Sequence, residues 1–409
     1  MMTEKRWVRI RCMWAVLFLT AFAGVSPASA AEWISSDVGS TGVAGTAVKD
    51  AGVWTVRGAG SDIWGTEDSF QYLHKPAAQG RAHIDVRLDD LSNTHPFAKA
   101  GLMVRGSLDP NAAAVILSVK PNNEIEFMHR PTAGAQMIYD GGTVVSLPVW
   151  LQLSWNLLGG SDNGQGTYEL TAAFSPDGRT WTTIGRVLMS LGPPCCASME
   201  AGVAVLSHDP GQLNTAHFEG LSMLHEGWSS TDIGNTGIRG SASDDPVNLD
   251  SILTVDGAGA DIWGRADSFQ FVHQTVGAFA PLDYQVLRID NTHQFAKAGL
   301  MFRDGLAPDA VNVILDVKPD GGVEFMARTC TGCETQYLGG TTVSLPIDLD
   351  ISRVGNTFYA SVGQYGNPAS RRQVGSVTLA FGPTFEFGFA VTSHDVGRLT
   401  TAAFDHPPQ

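Results

Sequence analysis

Charged side chains recur at matching positions in two long stretches of the chain, where they could bind a polar ligand. Lysine and arginine donate hydrogen bonds, and a carboxylate accepts them. Saccharide sites use such groups for the sugar hydroxyls and stack the apolar sugar face on tryptophan or tyrosine. The pattern therefore predicts two sets of ligand-binding residues, Lys99, Arg105, Lys120, Glu126, Arg130, Trp64 and His95, and Lys297, Arg303, Lys318, Glu324, Arg328, Trp263 and His293.

Each of these residues also has a purely structural interpretation. The charges could form a cross-strand ladder of ion pairs on a solvent-facing sheet. Trp64 could be buried and pin a turn, with Asp62 and Asp68 capping nearby amides. His95 and the later His208 resemble loop residues, for which a general base or a metal ligand is the functional alternative. These alternatives stay open.

The catalytic residues, if there are any, are unknown. Glycoside hydrolysis needs two carboxylates facing one cleft, and Glu126 or Glu324 could supply one of them. Neighbouring lysine and arginine would keep these glutamates ionised, which suits a nucleophile or an ion pair. The sequence contains no Gly-x-Ser-x-Gly, His-Glu-x-x-His or P-loop motif. A non-catalytic protein is favoured over a glycoside hydrolase or polysaccharide lyase, and the question stays open.

The elements that would position these residues are β-strands. Residues 98–105 alternate between small apolar side chains and Lys, Gly, Met or Arg, which is the two-residue period of a strand. A β-branched run follows over 114–120, and residues 124–130 alternate again. One face of a single sheet is therefore expected to carry Lys99, Met103, Arg105, Glu126, Met128 and Arg130.

The chain is a tandem repeat. Residues 97–103 are identical to residues 295–301, and Asp-Ile-Trp-Gly occurs at both 62–65 and 261–264. We call residues 31–225 the first repeat and residues 226–409 the second repeat. Many short strands broken by 46 Gly and 20 Pro predict an all-β fold of two tandem jelly-roll β-sandwich domains with these boundaries.

The N-terminal segment 1–30 is predicted to be a secretory signal peptide. It has a basic start, an apolar run and Ala-Ser-Ala before the cleavage point. Its removal takes away four basic residues and one acidic residue, which changes the net charge from −15 to −18. We therefore expect a secreted or periplasmic protein with no membrane span after cleavage. The acidic balance argues against nucleic acid as a partner.

Four cysteines follow the signal peptide, and an exported chain is expected to pair them. A local Cys330–Cys333 disulfide is the first choice, while a vicinal Cys195–Cys196 bond or a zinc site is the alternative. No metal ligands are assigned. A structural calcium ion is considered, held by acids that open and close each repeat, Asp37 with Glu219 and Asp232 with Asp405.

The repeated motifs resemble a known bacterial domain family. Trp-x-Ser-x-Asp-[Val/Ile]-Gly, Gly-Ala-Gly-x-Asp-Ile-Trp-Gly, Phe-Ala-Lys-Ala-Gly-Leu-Met-x-Arg and Ser-His-Asp look like the regulation of enolase protein type within the concanavalin A-like lectin/glucanase superfamily. The resemblance implies a jelly-roll sandwich and supplies no catalytic pattern. A secreted carbohydrate-binding, lectin-like protein with two non-catalytic modules is predicted, with a polysaccharide or glycan as partner. A polysaccharide hydrolase or lyase and a structural or adhesive envelope protein are the alternatives.

Overall fold

The computed structural model describes residues 32–77, 80–160, 166–191, 199–244, 251–277 and 282–406. Within these ranges every long regular element is a β-strand, which confirms the predicted all-β class. No helix in the same ranges has the length and apolar character needed to cross a membrane. The predicted signal peptide at 1–30 and the cysteines Cys195 and Cys196 lie outside the described residues.

The first repeat forms strands β1 to β16. They are β1 (Ile34–Val38), β2 (Thr46–Asp50), β3 (Val53–Gly60), β4 (Ile63–Trp64), β5 (Glu67–Asp68), β6 (Phe70–Pro76), β7 (Arg81–Leu91), β8 (Lys99–Arg105), β9 (Ala114–Val119), β10 (Glu124–Arg130), β11 (Ile138–Val144), β12 (Val149–Gly160), β13 (Gly166–Ser175), β14 (Thr182–Ser190), β15 (Glu200–Leu206) and β16 (Asp209–His225).

The second repeat forms strands β17 to β30. They are β17 (Ser229–Ile233), β18 (Ser241–Asp244), β19 (Ser251–Gly259), β20 (Phe269–Val276), β21 (Leu282–Ile289), β22 (Lys297–Arg303), β23 (Asn312–Val317), β24 (Gly322–Arg328), β25 (Gln336–Thr342), β26 (Ile347–Val354), β27 (Thr357–Gln364), β28 (Asn367–Thr378), β29 (Phe385–Thr392) and β30 (Asp395–His406).

Each repeat has a seven-stranded sheet with the same strand order, which we call the front sheet. The order is β1-β6-β15-β8-β9-β10-β11 in the first repeat and β17-β20-β29-β22-β23-β24-β25 in the second. A single fourteen-stranded sheet, here called the shared sheet, runs behind both. Its main path is β14-β13-β12-β7-β16-β18-β19-β30-β21-β26-β27-β28, with β2 and β3 attached beside β16.

Each front sheet packs one face on the shared sheet. In the first repeat, Ala100, Leu102 and Val104 of β8 join Ile84 and Val86 of β7 in one buried apolar cluster. The second repeat has the matching cluster, which includes Ala298, Leu300, Phe302, Val286 and Leu349. Two sheets packed around an apolar core form a β-sandwich. The buried side of β8 is the side that the alternation in the sequence indicates.

The opposite face of each front sheet, the front face, is covered over much of its area. Met103 and Met128 project there and form a second buried cluster with Ile63 and Met137, which lie in segments that cross the sheet. Met301, Met326 and Ile262 form the same cluster in the second repeat. A solvent-facing charge ladder was one expectation for this face, and the covering segments replace it with a small second core.

The two repeats meet along the shared sheet. Strand β16 runs parallel to β18 through Met223 and Ser243, and it pairs with β7 along its other edge. A salt bridge of 2.8 Å between Lys49 Nζ and Asp256 Oδ2 also joins the repeats. The predicted domain boundary at 225 and 226 falls at the end of β16, and it stays a prediction.

Candidate functional site

A buried Arg–Asp–Arg cluster lies under one end of each front face. In the first repeat Arg130 Nη1 and Arg105 Nη1 lie 2.7 and 3.3 Å from Asp68 Oδ2, and none of the three side chains is exposed. In the second repeat Arg328 and Arg303 hold Asp267 in the same way, at 2.8 and 3.1 Å. Burial lowers the pKa of Arg105 and of Arg303, and the neighbouring aspartate opposes that effect.

The buried arginines position the loops that carry the exposed tryptophan. Arg130 donates to the carbonyl oxygens of Gly65, Ala112 and Ala135, at 3.3, 3.0 and 3.1 Å. Gly65 follows Trp64, so this guanidinium fixes the backbone beside the indole. The structure therefore places Arg105, Arg130, Arg303 and Arg328 beneath the surface, where they reach a ligand only through the loops they hold.

An Asp–Lys pair lies at the other end of the front face. Lys99 Nζ is 2.8 Å from Asp62 Oδ1 and 3.1 Å from the carbonyl oxygen of Phe97. The matching Lys297 Nζ is 2.6 Å from Asp261 Oδ1. Both lysines are more than nine-tenths buried, and the aspartates are partly exposed. The aspartate is thus the member of each pair that a ligand can contact.

Two stacked histidine rings lie beside this pair, and a phenylalanine packs edge-on against one of them. The rings of His95 and His208 are 4.2 Å apart, and the Phe97 ring is 5.6 Å from His208. The second repeat reproduces the stack with His293, His394 and Phe295 at 4.4 and 5.4 Å.

The position of the second histidine is set by the backbone. His208 and His394 both have a φ of 59°, the left-handed region that non-glycine residues rarely adopt. Burial lowers the pKa of His208, while Asp62, whose Oδ2 lies 3.6 Å from Nδ1, opposes the shift. A pKa below the usual value of about 6.5 favours the neutral imidazole at pH 7.

A Lys–Glu pair borders the same aromatic stack. Lys120 Nζ is 2.8 Å from Glu124 and 2.9 Å from Glu126, and it lies 5.6 Å from the centre of the Phe97 ring. Burial acts to lower the pKa of Lys120, but hydrogen bonds to the two glutamates outweigh it and raise the pKa. In the second repeat Lys318 binds Glu324 at 2.9 Å and lies 5.7 Å from the Phe295 ring centre.

The floor between the two charged pairs differs between the repeats. Ser118 lies opposite Gly101 and Glu126 in the first repeat, and Asp316 lies opposite Gly299 and Glu324 in the second. Both floor side chains are fully buried, and in the described chain neither has a hydrogen-bond partner. Burial raises the pKa of Asp316 well above its usual value.

Three aromatic side chains per repeat remain exposed around this face. Trp64, Phe97 and Tyr139 are 46%, 51% and 49% exposed. Their counterparts Trp263, Phe295 and Tyr337 are 45%, 43% and 56% exposed. An amide of Met137 donates to the Gly65 carbonyl oxygen at 2.9 Å, which brings the start of β11 next to the tryptophan loop.

The tyrosine and the phenylalanine were not among the predicted site residues. Tyr139 lies on β11, and a Cβ placed on Gly142 would come within 2.7 Å of its hydroxyl oxygen. The same distance separates such an atom on Gly340 from the hydroxyl of Tyr337. The repeated Tyr-x-Gly-Gly at 139–142 and 337–340 is the sequence signal that marks both tyrosines.

We call the clustered residues of each repeat the front-face site. It gathers the predicted Trp64, His95, Lys99, Lys120 and Glu126 with residues that the prediction did not assign as ligands. The first site comprises Asp62, Trp64, His95, Phe97, Lys99, Lys120, Glu126, Tyr139 and His208, and the second comprises Asp261, Trp263, His293, Phe295, Lys297, Lys318, Glu324, Tyr337 and His394.

The acids considered for calcium lie on different sheets within each repeat. The first and last strands of each repeat belong to different sheets, so Asp37 on β1 and Glu219 on β16 are not sheet neighbours. Each acid has its own partner: Asp37 accepts from the Gly45 amide, and Glu219 accepts from Arg87. No group of three or more His, Cys, Asp or Glu among the described residues has a metal-binding arrangement. A structural calcium ion held by these acids stays a prediction.

The predicted Cys330–Cys333 disulfide is present, with Cα atoms 5.3 Å apart. It closes the short loop between β24 and β25. Arg328 Nε donates to the Cys333 carbonyl oxygen at 3.1 Å, so the bridged loop is tied to the buried arginine cluster of the second repeat.

Comparison with known proteins gives distant likenesses. No family model and no curated protein matches the chain. Solved structures that match it include a functionally unknown protein from Saccharomyces cerevisiae, 15% identical with a TM-score of 0.32, over 44% of this chain and 91% of that one. The exoplasmic/lumenal domain of VIP36 in a Ca2+/Man-bound form is 12% identical with a TM-score of 0.28, over 50% of this chain and 88% of that one.

A third match is the GH43 protein BlXynB from Bacillus licheniformis. It is 10% identical with a TM-score of 0.32, over 90% of this chain and 97% of that one. Likenesses this weak carry no argument about ligand or activity. The resemblance to the regulation of enolase protein type therefore stays a prediction.

Proposed function

We propose that the protein is a secreted carbohydrate-binding protein with two similar non-catalytic sandwich modules of the concanavalin A-like kind, each of which binds a glycan at its front-face site. The observation that carries the proposal is the repeated ring of exposed aromatic side chains around charged pairs. Trp64, Phe97 and Tyr139 have counterparts of similar exposure in the second repeat.

The chemistry of these residues suits a pyranose. The apolar face of the sugar stacks on an exposed aromatic ring, which contributes buried area and a defined orientation. Glu126 and Asp62 accept hydrogen bonds from sugar hydroxyls, and Lys120 donates them. Because Asp62 is already held by Lys99, and Glu126 by Lys120, the acceptors are fixed before the ligand arrives. Pre-organised groups lose little entropy on binding.

Two sites on one chain favour a polymeric ligand. Each site offers a few exposed aromatic rings and partly exposed acids, so weak binding at one is expected. A polysaccharide that reaches both sites makes the second contact intramolecular and raises the overall affinity.

The test is affinity electrophoresis and calorimetry with a polysaccharide panel. We expect binding that falls at least roughly tenfold when Trp64→Ala is combined with Trp263→Ala, or Phe97→Ala with Phe295→Ala. Tyr365→Ala is the matched control, because Tyr365 is an exposed aromatic residue on the turn between β27 and β28. If the parent and both double variants bound the polysaccharides equally well, the front faces would not be the binding sites.

Export is part of the proposal. The Cys330–Cys333 disulfide supports it, since such bonds persist in oxidising compartments. N-terminal sequencing of the protein from culture medium or periplasm tests both the location and the predicted cleavage after Ala30.

One observation favours a polysaccharide hydrolase or lyase as a second candidate. A neutral His208 beside Asp62 has the protonation state of a general base. Release of reducing ends or unsaturated products from the panel would support this candidate. The rate should then fall in His208→Ala with His394→Ala, and an unaltered rate in Glu126→Ala with Glu324→Ala would exclude the glutamates from the mechanism.

A further inference from the structure

A cleft at the junction of the two repeats lies outside both front-face sites. It has a volume of about 400 Å³, within the range of small-molecule sites. Its lining comes from both repeats, so neither repeat alone can form it. The first repeat contributes Glu32, Trp33, Lys49, Trp54 and Leu221, and the second contributes Ser241, Ala242, Ser243, Thr254, Asp256 and Arg288.

The floor of the cleft is a polar patch on the shared sheet. Ser243 of β18 lies opposite Thr254 of β19. On the next strand, β30, Ala403 lies between Thr254 on one side and Arg288 of β21 on the other. Ser241 lies opposite Asp256 one step along the same face. Strands β18, β19 and β21 therefore present hydroxyl, carboxylate and guanidinium groups on one face.

The corresponding position in the first repeat keeps a threonine, Thr55, in place of Thr254, but it differs at two other residues of the floor. Register places Val48 and Arg57 of the first repeat where the second has Ser243 and Asp256. Val48 is exposed there. The Ser243 hydroxyl and the Asp256 carboxylate of the floor are therefore particular to the junction.

Three of the four charged side chains that line the cleft already have charged partners. Lys49 binds Asp256 across the junction at 2.8 Å, and Arg288 binds Asp290 at 3.2 Å. With Glu32 the formal charge of the lining residues balances to zero. The described chain leaves the buried Thr254 hydroxyl oxygen without a hydrogen-bond partner. The lining thus has no net charge, and the polar atom without a partner is a hydroxyl oxygen. Both features favour an uncharged, hydroxyl-rich molecule as the ligand.

Two half-buried tryptophans complete the lining. The Trp54 ring has Lys49 Nζ 5.9 Å from its centre, and the Trp33 ring has Lys75 Nζ at 5.1 Å. Indole rings beside hydroxyl groups suit the two kinds of surface on a pyranose, its apolar C–H face and its hydroxyl rim. We propose that this junction cleft is a third binding site, which takes a neutral pyranose unit of an oligosaccharide.

Calorimetry and tryptophan fluorescence with maltopentaose, cellopentaose, xylopentaose and mannopentaose test the site on the full chain. At least one of these neutral sugars is expected to bind the parent, and Trp54→Ala should weaken that binding roughly tenfold or more. Thr254→Val should weaken it about 3- to 10-fold, the effect of one hydrogen bond. Ser243→Trp fills the cleft and should abolish binding.

The stability of Thr254→Val separates binding from folding. Its hydroxyl has no partner in the described chain, so the unliganded variant should melt at or above the parent temperature. The double variant Trp64→Ala with Trp263→Ala alters only the front faces and should still bind the oligosaccharide at the junction cleft. Failure of the front-face proposal can therefore be distinguished from failure of the junction site. Binding unchanged by Trp54→Ala and Ser243→Trp, or no binding of any of the four sugars, would overturn the junction site.

Discussion

Arg328 and Asp267 face each other through two contacts of 2.6 and 2.8 Å, and neither side chain is exposed to solvent. Arg303 still pairs with Asp267 when Arg328 is replaced, so the cost comes from the buried hydrogen bonds that the Arg328 guanidinium donates to Asp267 and to loop carbonyls. Losing a buried hydrogen bond to a charged group typically costs about 1.5–3 kcal/mol. We therefore expect Arg328→Met to lower the free energy of unfolding by about that amount, measured by urea denaturation. Because the same residue holds loop carbonyls, ligand binding at the second front-face site should weaken as well.

Arg265→Met is the matched control for that variant. Arg265 pairs with Glu334 at 2.8 Å, but both side chains are largely exposed, and such pairs contribute little. Similar denaturation midpoints for the two variants would show that the buried cluster is not the structural anchor described above.

Asp316 should make the stability of the second repeat depend on pH. Burial raises the pKa of Asp316 in the fold, with Lys297 and Lys318 opposing the shift, and Glu324 and Asp261 adding to it. Its contribution to stability is complete below the pKa of the unfolded chain, about 3.9. It is lost as the pH rises through the higher pKa of the folded protein.

Asp316→Asn should therefore stabilise the protein at pH 8, with a gain that shrinks as the pH falls toward 4. Thermal melts across this range measure the effect. The converse change, Ser118→Asp, should introduce the same pH dependence into the first repeat, and Ser118→Ala serves as its control. A gain from Asp316→Asn that is independent of pH would contradict the raised pKa.

His208 and His394 should titrate below the usual value of about 6.5. Burial lowers the pKa of both histidines. For His208, Asp62 opposes this shift, and His95 and Lys99 add to it. For His394, Asp261 opposes the shift, and His293 and Lys297 add to it. Because Asp62→Asn removes the charge that raises the pKa of His208, this variant should lower that pKa further and leave the pKa of His394 unchanged. NMR titration of the imidazole protons measures both, and a His208 titration above 6.5 would argue against the neutral ring.

Gly142 should be intolerant of a side chain. A Cβ there would collide with the Ile125 carbonyl oxygen and lie 2.7 Å from the Tyr139 hydroxyl. Gly142→Ala should lower the melting temperature and, by displacing Tyr139, weaken ligand binding at the first front-face site. Gly159→Ala is the control, because a Cβ at Gly159 meets no atom within 4 Å. Equal melting temperatures for the two variants would show that the tyrosine does not need this glycine.

The sequence was informative where a residue's environment depends on its own strand. The alternation over 98–105 predicts which side of β8 is buried in the core, and Ala100, Leu102 and Val104 lie there. The burial of Arg105 depends instead on a distant segment that carries Asp68 across the sheet. Local periodicity contains no information about such a cover, so the arginines were assigned to a surface.

The repeat also concealed differences between its copies. The sequence match between the repeats aligns Lys99 with Lys297. At another equivalent position of the front sheet, however, the first repeat has Ser118 and the second has Asp316, which differ in chemistry. The junction cleft could not be predicted from either copy, because it exists only where Trp54 of one faces Thr254 of the other. The duplication predicts the residues of each repeat, but the contact between the two repeats is visible only in the three-dimensional structure.

The pairing of β16 with β18 has a consequence for solubility. A strand at the margin of a sheet offers unsatisfied amides and carbonyls to any other chain, and this invites aggregation. Fusing the two sandwiches through Met223 and Ser243 hides one such margin from each. Separating the two repeats would uncover both margins, so the tandem arrangement protects each half from self-association.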